Sequence, residues 1–109
     1  PAPYNQGDYE KGRRVAAQCR SCHTFTADGG NRVGPKLHGL FGRAAGSVEG
    51  FNYSDALKNS GITWDEATLD SWLSSPRTFL PGNRMSFPGV HEETERRDLI
   101  TFLHVETTR

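Results

Sequence analysis

The chain has 109 residues, enough for one domain with a limited core, and its 13 lysines and arginines balance its 13 aspartates and glutamates. Only 34% of it is hydrophobic and its mean hydropathy is −0.68. No stretch approaches the roughly 20 apolar residues of a membrane-spanning helix, and no concentrated basic face marks a nucleic-acid binder, so both roles are excluded. The neutral total hides an uneven spread: residues 1–46 carry seven positive and three negative charges, and residues 47–109 carry six and ten. Such a dipole is expected to orient the molecule toward a partner, in a salt-dependent way.

The chain starts at Pro1 with no charged-then-apolar leader, which is expected of a mature or trimmed product. Pro1-Ala2-Pro3 also suits the end of a linker. Asp8 is placed to cap a first helix running to about Cys19, with Tyr9 and Val15 among its few apolar residues. Gly12 inside that helix costs roughly 1 kcal/mol against alanine, so another backbone is expected to pass close by.

Cys19-Arg20-Ser21-Cys22-His23 follows, and C-x-x-C-H is the attachment signature of a covalent c-type haem. Residues three apart share one face of a helical turn, so both sulfurs can reach one porphyrin edge. His23 then offers one ring nitrogen to iron while the other donates to an acceptor that fixes the tautomer. A structural zinc site would need a second pair of ligands that the remaining three histidines do not supply at metal-binding spacing. A thioredoxin-like pair would need a βαβ pattern, and a Cys19–Cys22 disulfide would close too short a loop to stabilise much.

Gly29 to Val48 is rich in glycine and reads as an ordered loop. Ser54 to Asn59 reads as a brief helix ended near Gly61, and Thr63-Trp64-Asp65-Glu66 resembles a capping box. The helix it opens has Leu69, Trp72 and Leu73 on one face and is expected to stop at Pro76. Arg77 to Gly89 reads as a second loop. From about Glu92 to Val105, Leu99, Phe102 and Leu103 form an apolar stripe opposite Glu92, Glu93, Glu95 and Arg96. This last helix is expected to cross the first at Gly12. No strand is expected. Loops this long in a helical domain require something central to order them, and a haem meets that need.

Met85 is the sole methionine, and it lies in the polar loop Pro81-Gly82-Asn83-Arg84-Met85-Ser86-Phe87 and not on an apolar face. Core filling therefore explains it poorly. A thioether is a soft ligand that favours ferrous iron, and His23 with Met85 would fill both axial positions.

Several blocks in one order now carry a resemblance. They are Gly12, the C-R-S-C-H motif, Gly34-Pro35-Lys36-Leu37-His38-Gly39-Leu40-Phe41-Gly42-Arg43, Gly50-Phe51-Asn52-Tyr53-Ser54, Gly61-Ile62-Thr63-Trp64, the Met85 loop, and Arg97 to Leu103. Over nearly its whole length the chain is similar to the class I c-type cytochromes, in the mitochondrial-like branch and its bacterial relatives. The resemblance implies an all-α cytochrome c fold in a single domain, 1–109, with four or five short helices and long loops around one haem c. That haem would be covalent through Cys19 and Cys22, with His23 and Met85 as metal ligands. It implies that the Pro35 carbonyl accepts the His23 N–H, and that Arg43, Tyr53 and Trp64 bind or neutralise a haem propionate. His38 is expected to be a structural loop residue, and His91 and His104 to be exposed.

The implied function is a soluble, monomeric carrier of single electrons, not an enzyme, in the periplasm or another extracytoplasmic compartment, tethered to the membrane in one form of the full-length product. Its expected partners are redox proteins such as a quinol-oxidising complex, a terminal oxidase or a periplasmic reductase or dehydrogenase. The alternative is a haem domain or electron-transfer subunit of a larger dehydrogenase, oxidase or membrane-anchored protein. A peroxidase or gas-binding protein would follow only from a Met85 that leaves iron easily. The chain departs from the family in having few lysines, Lys11, Lys36 and Lys58, with Arg13, Arg14, Arg77 and Arg84 standing in for part of the docking face. Trp72 stands where the family commonly has tyrosine, and Leu57 where asparagine is frequent. Both changes are expected to remove hydrogen-bonding capacity near the haem.

Overall fold

The computed structural model describes residues 7–108; Pro1-Ala2-Pro3, read above as a linker end, lies outside them. Five helices follow in order: α1 (Tyr9–Ala16), α2 (Asp55–Lys58), α3 (Glu66–Ser74), α4 (Pro76–Phe79) and α5 (Glu93–Thr108). The described residues contain no extended strand, and a lone antiparallel bridge pairs Ala44 with Thr63. The all-α expectation holds.

Asp8 caps α1 by accepting the Lys11 N–H at 3.0 Å. The helix ends earlier than expected, at Ala16, because the next amides tighten: those of Ala17, Gln18 and Cys19 donate to the carbonyls of Arg14, Val15 and Ala16. Gly12 meets α5 as its missing side chain required. A Cβ there would lie 2.0 Å from the Asp98 carbonyl oxygen and 2.8 Å from the Phe102 Cβ. Asp98, itself buried, accepts the Asp8 N–H at 2.7 Å, and Tyr9 packs its ring on Phe102 at 5.2 Å. The two terminal helices are thus joined by contact, hydrogen bond and aromatic packing at one crossing.

Helix α5 runs three residues beyond the expected end, and Thr107 in that extension is fully buried. Its middle is buried on more than one face. Phe102 turns toward α1 while Leu103, one residue on, lines an internal cavity. Arg96 ties α5 to α3 through Asp70 at 2.8 Å and also donates to the carbonyls of Val90 and His91.

Two expectations between the terminal helices need correction. The capping box belongs to Asp65 and Thr68, not to Thr63 and Glu66: Asp65 accepts the Thr68 N–H, and Thr68 Oγ1 accepts the Asp65 N–H. Thr63 is held in extended backbone by its bridge to Ala44, so it cannot start the helix. Pro76 ends α3 but also begins α4, a four-residue helix inside the segment read as loop, because the first helical position needs no N–H. Among the histidines, His91 is exposed, but His104 is half-buried with its ring edge-on to Phe41 at 5.0 Å, correcting the expectation of exposure.

Candidate cofactor site

The turn after α1 brings the two cysteines and His23 together. The amides of Cys22 and His23 both donate to the Cys19 carbonyl, at 3.1 and 2.9 Å, which wraps the three side chains around one turn. No disulfide joins the two cysteines, so both sulfurs are left to tether a cofactor.

His23 is fixed by the loop opposite. Its Nδ1 lies 2.7 Å from the Pro35 carbonyl oxygen, which can only accept, so Nδ1 carries the proton and Nε2 keeps its lone pair. Burial lowers the His23 pKa, helped by the Arg43 charge and opposed by the Pro35 bond, so the ring is held neutral. Gly34 leaves space for that ring. A Cβ there would come within 2.2 Å of His23 Cε1. Neutral imidazole with a fixed tautomer is what iron ligation needs.

These residues open onto one cavity of about 410 Å³, and all eight site residues named from sequence line it: Cys19, Cys22, His23, Pro35, Arg43, Tyr53, Trp64 and Met85. Leu40, Leu69, Leu73, Phe87 and Leu103 contribute apolar wall. The polar groups are few. Arg43 donates to the His38 carbonyl at 3.1 Å and has no carboxylate partner among the described residues. Burial pulls its pKa down, partly offset by Tyr53, yet a guanidinium stays charged at neutral pH. Tyr53 Oη accepts the Val48 N–H at 3.0 Å, leaving its own proton to donate.

Trp64 and Trp72 are each 7% exposed, and they meet edge to face at 5.4 Å. Neither indole N–H has a hydrogen-bond partner among the described residues, and both side chains border the cavity. A half-buried cation without a counter-ion and two unpartnered donors around an apolar space fit an occupant that is mostly apolar and anionic at one edge. A porphyrin with propionates, tethered through Cys19 and Cys22, has that character. Leu57 brings no polar atom to the cavity, as its sequence implied, whereas Trp72 retains a donor that the reading from sequence had discounted.

Met85 reaches the cavity from the loop after α4. Sequence reading named Met85 but missed what holds it: Asn83 Oδ1 accepts the Met85 N–H at 2.8 Å, and its Nδ2 donates to the carbonyls of Pro76 and Leu80. An asparagine two residues before a bonded amide is a side-chain turn signal, and it was legible in Asn83-Arg84-Met85. Arg84, read from sequence as part of a docking face, donates to the carbonyls of Asn52 and Tyr53.

No family model matches the chain. It is 48% identical over 105 residues to cytochrome c of Cochliobolus lunatus, covering 95% of this chain and 97% of that one. It is also 48% identical over 100 residues to cytochrome c2 of Rhodomicrobium vannielii, covering 92% and 80%. Among solved structures, cytochrome cH from Methylobacterium extorquens superposes with a TM-score of 0.84 at 42% identity, over 91% of this chain and 99% of that one.

Proposed function

Because the chain belongs to the class I c-type cytochromes and carries one covalently attached haem c, we propose that it is a soluble one-electron carrier with His23 and Met85 as axial ligands. Bound there, the haem supplies an iron that gains or loses one electron with little change in geometry. The observation that carries the assignment is the convergence of a tautomer-fixed His23 and a loop-borne Met85 on one cavity.

The protein's own groups then have separable roles. Cys19 and Cys22 hold the porphyrin edge, so cofactor loss requires breaking bonds. The Pro35 carbonyl, drawing on the Nδ1 proton, makes the His23 ring a stronger donor and favours the ferric state. Met85 opposes it by favouring the ferrous state. Arg43, Tyr53 and Trp64 supply positive charge and donors to propionate, and the apolar wall keeps water from the iron. With His23 and Met85 both holding the iron, no position would be left open for an outside ligand, which suits a carrier and not an oxygen-binding or peroxidase site.

The partners we propose are redox proteins of an extracytoplasmic compartment such as the periplasm, among them a quinol-oxidising complex, a terminal oxidase, or a reductase or dehydrogenase. Protein-film voltammetry together with carbon monoxide exposure tests the reading. A reversible one-electron wave and only slow uptake of carbon monoxide by the ferrous protein at neutral pH are expected. Rapid carbon monoxide binding would contradict it.

A further inference from the structure

The two residues before Met85 hold it from opposite sides, and the second hold reaches across the cavity. Asn83 spends its whole side chain locally, donating to the Pro76 and Leu80 carbonyls at 2.9 and 2.8 Å and accepting the Met85 N–H. Arg84 reaches back 31 residues, where Nη2 donates to the Tyr53 carbonyl and Nη1 to the Asn52 carbonyl at 3.4 Å. Asn52 and Tyr53 line the same cavity as Asn83, Arg84 and Met85, so the guanidinium spans from one wall to another. No carboxylate is paired with it among the described residues, and its partners there are backbone carbonyls alone.

A planar fork can bond two successive carbonyls at once, which a lysine ammonium on a flexible stem does less well. Those bonds are charge-assisted, and a backbone acceptor cannot swing away as a side chain can. Asn83 ties the loop to α4 and its end, and Arg84 ties it to the 52–53 backbone. We propose that Arg84 is a positioning residue that pins the Met85 loop to the 52–53 backbone and so sets how rarely the Met85 sulfur leaves the iron. This rests on Met85 being an axial ligand.

The test is the rate at which neutral outside ligands enter the purified holoprotein at neutral pH, carbon monoxide in the ferrous form and neutral imidazole in the ferric form. Neutral probes are not steered by the charge that a substitution removes. Arg84→Ala is expected to speed entry about tenfold, the effect of losing a partly exposed charge-assisted bond, and Arg84→Lys to recover part of the difference. The global unfolding constant, measured in denaturant alongside, is expected to change by a smaller factor than the entry rate. Entry within twofold of wild type, or acceleration only in step with global unfolding, would overturn the proposal. Should Arg84→Ala not fold, Arg84→Gln and Arg84→Lys carry the same comparison. A wild-type ferric protein lacking the far-red band of sulfur ligation defeats the Met85 assignment, whereas that band with unchanged entry rates defeats the Arg84 role alone.

Discussion

Gly12 and Gly34 are glycines because of what lies against them. At Gly12 the obstacle is the α5 backbone, which cannot step aside without separating the terminal helices. Gly12→Ala is therefore expected to cost about 3 kcal/mol in denaturant unfolding, the upper part of the usual overpacking range. At Gly34 the obstacle is the His23 ring, itself held by Pro35. Gly34→Ala should displace the ring or the loop and weaken the Nδ1 bond, leaving a poorer donor on iron. Its reduction potential is expected to rise relative to wild type; a fall would show that the Pro35 bond does not tune the site. Arg84 makes a third point at this scale. A lysine beside a methionine ligand can lose its proton and replace the sulfur at high pH, but a guanidinium keeps its charge. The far-red band of the ferric protein should therefore persist at mildly alkaline pH.

Helix α3 shows how a short element is fixed by its ends. The Thr68 N–H, accepted by Asp65, holds the Asp65 carboxyl below its ordinary value of 3.8. A depressed carboxyl contributes stability that is complete above the unfolded value and is lost as pH falls through the folded one. Asp65→Ala is expected to cost about 0.5–1 kcal/mol at neutral pH, and the gap from wild type should narrow below pH 3.8. The same region marks where sequence reading is strong and where it fails. Gly12, the α5 stripe and the Asp8 cap were legible because each is a local choice with one dominant cause. The α3 cap was displaced by two residues because Thr63 is committed to Ala44, a partner 19 positions away that no local pattern displays. Pro76 was read as a stop when it is also a start, since proline satisfies both roles.

For the whole molecule, a small apolar inventory closes around a cavity instead of filling its own centre. Of the eight residues named from sequence that line it, Cys19, Cys22, His23 and Met85 were legible in their own chemistry of thiol, imidazole and thioether, whereas Pro35, Arg43, Tyr53 and Trp64 were named through the family resemblance. The hold of Asn83 and Arg84 on the Met85 loop was not legible, because their partners are mainly carbonyls, and any residue has a carbonyl. The charge asymmetry between the two halves of the sequence belongs to this scale, where its expected steering role can be tested. Electron-transfer rates with a charged partner should depend on salt while the driving force stays the same, and salt-independent rates would remove any steering role.

We propose an iron held between His23 and Met85 in a haem that cannot be washed out. The most direct measurement is the absorption spectrum of purified ferric holoprotein and of Met85→Ala, each before and after extraction with acidic organic solvent. The wild type is expected to keep its colour in the protein fraction and to show the far-red band, and Met85→Ala to keep the colour and lose the band. Colour that leaves with the solvent, or a far-red band that survives Met85→Ala, would contradict it.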